Sequence, residues 1–313
     1  MSPVLVPDRI GRAAFRSVIL SAAGNPWISA LANRRGLEAG ANRFVAGETL
    51  ADCIPVLDRL QAGGMRTYVI ALGEAIHTTE DAAAAAAGYE DLIPEVAARG
   101  ADTTFSIKLT HLGLELDPEL AWRHARRVVA LAAEHGAFVR LDMEQSDVVD
   151  QTLDIYRRLR SEGLDNTGVV LQAYLHRTMN DLIGLLPLEP NIRVVKGAYL
   201  EPPAVALQKK AQVDAAYLQL VRTALAHARF TAVATHDEQA VAEAKNAALK
   251  YQADHEFQML YGVRFGLAEQ LVEEGHHVRI CVPFGADWFV YFTRRLAERP
   301  ANLLFLLRNL ARR

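Results

Sequence analysis

The sequence predicts an α/β fold of the (βα)8 TIM-barrel type. Eight short β-branched or apolar runs begin between residues 66 and 277, and their starts lie 37, 34, 31, 24, 38, 25 and 22 residues apart. Each gap has room for one helix and two loops, which parallel strands need in order to return to the same edge. Such a barrel typically uses about 250 residues, and residues 66–313 supply them. An open, doubly wound sheet has the same rhythm and is the alternative.

Residues 1–65 lack strand alternation and are expected to form an N-terminal helical arm of three short helices, broken at Asn25-Pro26, Gly36 and Gly63-Gly64. Strands are expected over 66–72, 103–109, 137–142, 168–174, 192–199, 230–235, 255–260 and 277–283. Thr78-Thr79-Glu80-Asp81 places hydroxyls and acids where a helix start needs them, and the alanine-rich segment that follows runs to Arg99 with Gly100 beyond it. Between Ser146 and Leu159, residues Val148, Val149, Leu153, Ile155, Tyr156 and Leu159 fall on one helical stripe closed by Gly163.

After the eighth strand, 286–298 is expected to be helical, Pro300 interrupts, and 302–310 forms a second, strongly apolar helix. In a plain barrel the eighth helix runs down the outer wall, away from the face where barrel chemistry occurs. At 1.5 Å per residue that path would carry Arg294 roughly 12 Å from the rim. Two helices where one is needed permit the first to lie over the strand ends, so that Arg294 and Arg295 face the mouth.

Composition narrows the function classes. Of 313 residues, 51% are hydrophobic and 23% charged, which suits a chain with a packed core rather than a disordered one. A net charge of −3 provides no overall field to capture nucleic acid. Residues 1–43 carry +4 and residues 294–313 carry +5, leaving −12 in the middle. Solvated helix faces account for such ends; so does a peripheral contact with an anionic membrane surface, where each cation contributes about 1 kcal/mol. No apolar run reaches 18 residues, so no membrane-spanning helix is expected. Arg9, Arg12 and Arg16 before Val18-Ile19-Leu20 faintly resemble an export signal, which Asn25-Pro26-Trp27 interrupts. Cys53 and Cys281 form no CxxC or paired-histidine pattern, so neither a disulfide framework nor a metal site is expected, and a reducing cytoplasm fits. The motifs GxGxxG, GxxxxGK[ST], HExxH and GxSxG are missing, which disfavours Rossmann, P-loop, zincin and hydrolase-elbow chemistry. A flavin held in a barrel needs none of them.

Polar residues at the ends of barrel strands are the functional candidates: Lys108, Asp142, Glu144, Gln172, Arg193, Lys196, Tyr199, Thr235 and His236. Polar side chains within strands cost stability unless paired, and so many cations on one face imply an anionic ligand. Each also has a plainer reading. Lys108 alternates with Ile107 and Leu109 and fits an outer-face lysine; Arg193 fits the bottom rim, Asp142 a helix cap, His236 a hydrogen-bonded rim histidine, and Arg294-Arg295 a solvated face.

Six blocks in order along residues 66–299 resemble proline dehydrogenase, which also occurs as the proline-oxidising domain of bifunctional proline utilisation flavoenzymes. They are LDMEQSD at 141–147, LQAYLHR at 171–177, RVVKGAYLEP at 193–202, VATHDEQ at 233–239, FQMLYG at 257–262 and VPFGADWFVYFTRRLAE at 282–298. The resemblance implies an FAD-dependent barrel that oxidises L-proline to Δ1-pyrroline-5-carboxylate by hydride transfer from C5 to the flavin, with electrons passed to a membrane quinone. Carried over residue by residue, Lys108, Arg294 and Arg295 resemble the clamp on the proline carboxylate, and Tyr199 packs on the proline ring. An arginine fork meets a carboxylate bidentately and a lysine adds a point charge. Arg193 resembles the residue at the flavin N5 edge, and Asp142 the acid supporting the substrate side. Met143, Gln172, Lys196, Gly197, Ala198, Thr235 and His236 match positions lining the flavin and its tail, joined by Glu298. Lys196 suits the phosphates, and Gly197 a close approach of backbone to cofactor. Glu74 resembles the acid that pairs with Arg294 as a gate.

Two positions depart from the family pattern: Cys281 stands where many relatives have tyrosine, which puts discrimination against 4-hydroxyproline in doubt, and Leu200 stands where an aromatic often follows the GAY motif. Two other functions keep the same residues in view. A Schiff-base aldolase would use Lys196 or Lys108 as nucleophile, and a non-catalytic barrel would bind an anionic metabolite. The oligomeric state is left open by the sequence.

Overall fold

The computed structural model describes residues 41–73, 76–99, 102–289 and 291. Most of the predicted N-terminal arm, residues 1–40, and nearly all of the two predicted C-terminal helices lie outside the described residues. The strands are β1 (Arg66–Ala71), β2 (Thr103–Ile107), β3 (Phe138–Leu141), β4 (Thr167–Gln172), β5 (Asn191–Val195), β6 (Phe230–Ala234), β7 (His255–Leu260) and β8 (Val278–Phe284), each starting within one residue of its expected position. They form a closed barrel in sequential order, so the open doubly wound alternative is excluded. Neighbours from β1 to β8 pair in parallel, for example Phe105 with Val139, Val170 with Arg193 and Gln258 with Arg279.

The described helices are α1 (Leu50–Ala62), α2 (Thr79–Ala97), α3 (Pro118–Glu134), α4 (Val149–Ser161), α5 (Thr178–Leu185), α6 (Lys210–His227), α7 (Glu238–Tyr251) and α8 (Phe265–Glu273). Their starts follow local chemistry. Thr78 caps α2 in a reciprocal box with Asp81, Asp117 caps α3 with Pro118 in the first turn, and Asp237 caps α7 by accepting from the Gln239 N–H. Helix α3 buries Ala121, His124, Ala125, Val128, Val129 and Ala132, the three-and-four spacing of an inward stripe.

Because strand side chains alternate, each strand contributes to two cores. One set, including Phe105, Ile107, Val139, Leu141, Val169, Ile192, Val194, Val233, Phe257 and Ile280, is buried and apolar. The other points into the lumen, as bonds between non-adjacent strands require, and it is charged. Barrel lumens are ordinarily filled with layers of branched aliphatics. Here Arg140 of β3 reaches β5, donating Nη1 to Asn191 O at 2.8 Å and Nη2 to Asn191 Oδ1 at 2.5 Å, with its guanidinium 5.0 Å from the Phe138 ring centre. Burial, reinforced by the nearby Arg193 charge, pushes the Arg140 pKa down to about 9. Arg279 donates Nε to Glu256 Oε1 at 2.8 Å and Nη1 to the Thr67 and Asp102 carbonyls at 3.0 Å each.

The chain divides into two compact units, Ile54–Ala71 with Ala75–Val282, and Met1–Cys53 with Leu72–Glu74 and Pro283–Arg313. The first holds the lumen just described. In the second, Ala46 N–H donates to Pro283 O at 2.8 Å, Gly285 N–H to Gly47 O at 3.0 Å, and the Trp288 indole to Glu48 Oε1 at 3.3 Å. Among the described residues no helix is long and apolar enough to cross a membrane.

Gly168 makes room for Arg140: a Cβ there would sit 2.6 Å from Asn191 O and collide with the Arg140 guanidinium. Gly168→Ala is therefore expected to destabilise the barrel by about 1–3 kcal/mol, the usual range for overpacking, read as a fall of several degrees in Tm.

Candidate functional site

The C-terminal half of the lumen is organised around Arg193. This residue lies in the middle of β5 and is buried. The plainer reading, which set it at the bottom rim, is therefore wrong: it lies inside the lumen. Its Nη2 donates to Asp142 Oδ1 and, at 3.3 Å, to Ser106 Oγ; the Ser106 hydroxyl donates in turn to Asp142 Oδ1 at 2.5 Å. Asp142 follows β3 directly and is fixed by its own N–H, which donates to Ile107 O at 2.8 Å. The guanidinium stands 4.9 Å from the centre of the Tyr68 ring. Burial alone would lower the Arg193 pKa, but the Asp142 charge and hydrogen bond outweigh it and raise it, so this is a permanent buried cation. Arg193 Nε has no hydrogen-bond partner among the described residues. Beside it, burial above all raises the Tyr68 phenol, with the neighbouring Cys281 adding to the shift.

The ends of β2, β3 and β4 are tied together above this pair. Lys108 immediately follows β2 and is half-buried. Glu144 is buried and accepts from Thr110 N–H at 3.1 Å and from the Thr110 hydroxyl at 2.7 Å. Burial raises its pKa, while those two bonds and the charge of Lys108 work in the opposite direction. Gln172, buried at the end of β4, donates Nε2 to Glu144 O at 2.8 Å, and Met143 is buried between.

Beyond β5, Lys196 Nζ donates to Asp214 Oδ1 at 2.6 Å and Asp237 Oδ2 at 3.2 Å and lies 5.6 Å from the Tyr217 ring centre. Its ammonium is engaged by α6 and the cap of α7, so phosphate oxygens would compete with two carboxylates for it. Gly197 has φ +112°, and a Cβ there would overlap the Tyr174 ring. The close approach that requires glycine is thus to Tyr174. Tyr199 is half-buried, Ala198 exposed, and Leu200 is 77% exposed, so the aliphatic substitution for an aromatic lies on the surface. This loop is held by Glu201, whose carboxylate accepts from Ser146 N–H at 2.8 Å and from its hydroxyl at 2.6 Å.

At β6, Thr235 Oγ1 accepts from Asp237 N–H at 3.1 Å. His236 Nε2 accepts from the Leu260 N–H at 3.0 Å, the hydrogen-bonded rim histidine of the plainer reading. Asp142 is not a helix cap: the turn that follows it begins at Ser146. Glu74, Arg294, Arg295 and Glu298, which hold the expected gate, two members of the carboxylate clamp and one flavin position, lie outside the described residues. Among the described residues no group of three or more His, Cys, Asp or Glu could hold a metal.

Sequence reasoning missed Ser106, Tyr68 and Gln258. Ser106 carried a signal, since it shares the two-residue alternation of Lys108; Gln258 carried only its polarity inside an otherwise apolar strand.

Because burial dominates at Glu144, its folded pKa lies above its unfolded one. Its contribution to stability is therefore full below about pH 4.3, the unfolded value, and declines as pH rises through the folded value. Glu144→Gln removes that decline. Relative to wild type, the variant's Tm is expected to improve as pH rises above about 4.3 and to level off once the pH has passed the folded value; a difference independent of pH would exclude a titrating Glu144.

Residues 53–308 match the family model described as proline dehydrogenase. The chain is 38% identical over 301 residues to Proline dehydrogenase 1 of Bacillus subtilis (strain 168), covering 95% of this chain and 99% of that one. It is 40% identical over 303 residues to the proline dehydrogenase of Deinococcus radiodurans, covering 95% and 97%. Among solved structures, proline utilization A from Bdellovibrio bacteriovorus, inactivated by N-propargylglycine, is similar with a TM-score of 0.80 and 25% identity over 91% of this chain; the match spans 36% of that longer protein. With a family model over most of its length and relatives matched nearly end to end, the chain belongs to the proline dehydrogenase family.

Proposed function

We propose that the chain oxidises L-proline to Δ1-pyrroline-5-carboxylate with FAD as cofactor and passes the electrons to a membrane quinone. The observation that carries this reading is the buried Arg193, held by Asp142 and Ser106 with its Nε unpartnered among the described residues. A fixed cation just inside the strand ends suits a ring that becomes more anionic on reduction. Met143, Gln172, Arg193, Gly197, Ala198, Thr235, His236 and Glu298 would hold FAD, with Lys196 suited to its phosphates. Bound there, FAD supplies a two-electron acceptor for the hydride leaving proline C5.

The chain's own residues do the rest. Lys108, with Arg294 and Arg295, binds the carboxylate, and Tyr199 bounds the ring, so that proline is presented in one orientation. Orientation of this kind supplies about 7–11 kcal/mol where reacting groups are well placed. Asp142 keeps Arg193 charged and aimed: its Oδ1 already accepts from Ser106 and Arg193, which suits an orienting acid. Proline reacts with its nitrogen unprotonated, having given its proton to solvent. A Schiff-base lysine needs an amine free to attack a carbonyl, and Lys196 Nζ is bonded to Asp214 and Asp237, which disfavours Lys196 as the nucleophile of an aldolase and leaves Lys108 for that reading. The basic ends of the chain suit a peripheral contact with an anionic membrane that carries the quinone.

Purified protein is expected to be yellow and to bleach when L-proline is added without oxygen; a colourless protein, or one that proline leaves yellow, overturns the proposal. Lys108→Met is expected to raise KM for proline about 10- to 100-fold, the loss of one charged hydrogen bond, while the flavin stays bound.

A further inference from the structure

We infer that Gln258 and Glu256 are positioning residues for Arg193: together they fix the plane of its guanidinium from the side opposite Asp142. The inference rests on the flavin reading above. A guanidinium held at one nitrogen can still turn about that bond, and a second acceptor on another nitrogen is needed to stop it. Asp142 and Ser106 both act on Nη2, whereas Nη1 faces Gln258 Oε1 at 3.5 Å, a long contact from a strand two places round the barrel. The amide of Gln258 is useful only if its oxygen points at Arg193; turned over, it would set an NH2 against the guanidinium donors.

Glu256 decides that orientation. Gln258 Nε2 donates to Glu256 Oε1 at 2.6 Å, and an ionised carboxylate only accepts, so the amide oxygen is left for Arg193. Glu256 is in turn held by Arg279, whose Nε donates to the same Oε1 at 2.8 Å. Arg279 is anchored on Thr67 O, Asp102 O and, at 3.1 Å, Asp102 Oδ1. Arg66 adds a 3.7 Å pairing to Glu256 Oε2. A continuous run of directed bonds therefore joins the bottom rim to the cation beneath the reacting face. Gln258, Glu256 and Arg279 are all buried, so water does not compete for these groups.

The test compares Gln258→Met and Glu256→Gln in the purified holoenzyme. Gln258→Met removes the carbonyl at similar volume. Its kcat for proline is expected to fall about 10-fold, with KM for proline within about twofold of wild type and the flavin absorption band and midpoint potential shifted, since the carboxylate clamp is untouched while Arg193 turns. Glu256→Gln gives position 256 an NH2 that can face Gln258, so the Gln258 amide is no longer forced to turn its oxygen toward Arg193. Its kcat is expected to fall in the same sense as in Gln258→Met, with KM for proline within about twofold and the flavin band shifted the same way, a pattern that lost stability alone does not give. Should Gln258→Met not fold, Gln258→Asn keeps the amide but withdraws its oxygen by one methylene, and the same loss of kcat is expected. A wild-type kcat and flavin spectrum in the Gln258 variant overturns the inference, as does a Glu256→Gln enzyme whose kcat and flavin spectrum are those of wild type. Wild-type protein without flavin, or not reduced by proline, would instead sink the underlying reading.

Discussion

The pair of buried Arg193 and half-buried Asp142 is the constraint on which the rest of the site depends. A guanidinium in a barrel lumen is costly unless paired and hydrogen-bonded, because the desolvation of each ion competes with their attraction. The chain meets this by making the pair part of a network rather than an isolated bridge. Ser106 donates to the carboxylate and accepts from the cation, Gln258 faces the opposite nitrogen, and Tyr68 lies under the guanidinium. Such networks hold a single arrangement when every member is satisfied. Nε of Arg193 is left without a hydrogen-bond partner among the described residues, as are Arg140 Nε and Glu256 Oε2 in the same lumen.

Around this centre the loops are anchored by charges that face away from the lumen. Lys196 is pinned to Asp214 and Asp237, and Glu201 clasps both the amide and the hydroxyl of Ser146. The β5 loop is thereby tied to α6, α7 and the loop that follows Asp142 and Met143. Gly197 lets this loop turn at positive φ against the flat face of Tyr174. The anchors do not have to meet the ligand to set its surroundings: they fix backbone, and the backbone presents Ala198 and Tyr199.

The barrel was legible because its strands are short β-branched runs at intervals that only parallel crossovers explain, and the capped helix starts at Thr78 and Asp237 were written in local side-chain chemistry. Which polar residues face the lumen was less legible. In a parallel strand buried on both faces, alternation shows that Arg193 and Val194 point in opposite directions but not which points inward. The bottom rim accordingly stayed open as an alternative for Arg193, and Lys196, read as suited to phosphates, gave no sign of its carboxylate partners. Its partners lie 18 and 41 residues on. Ser106 and Gln258 were passed over for the same reason: each matters through a bond across the barrel, to residues 87 and 65 positions away.

The lumen also explains why a cation can be kept beneath the strand ends at all. Arg140, Arg193 and Arg279 share the interior with Asp142, Glu144 and Glu256, so the cations are matched in number by carboxylates. The depressed Arg140 pKa, about 9, records what burial costs a guanidinium bonded to Asn191 rather than to an acid: its charge is opposed by burial first and by Arg193 second. A barrel selected for stability alone would fill these positions with branched aliphatics, since replacing buried ions by well-packed apolar groups is often neutral or stabilising. In the function proposed above, the guanidinium that matters is Arg193, and its place is kept by pairing: Asp142 and Ser106 hold one nitrogen, and Gln258 faces another. Directed bonds of this kind, more than any surplus of charge, are what hold an ion in a packed lumen.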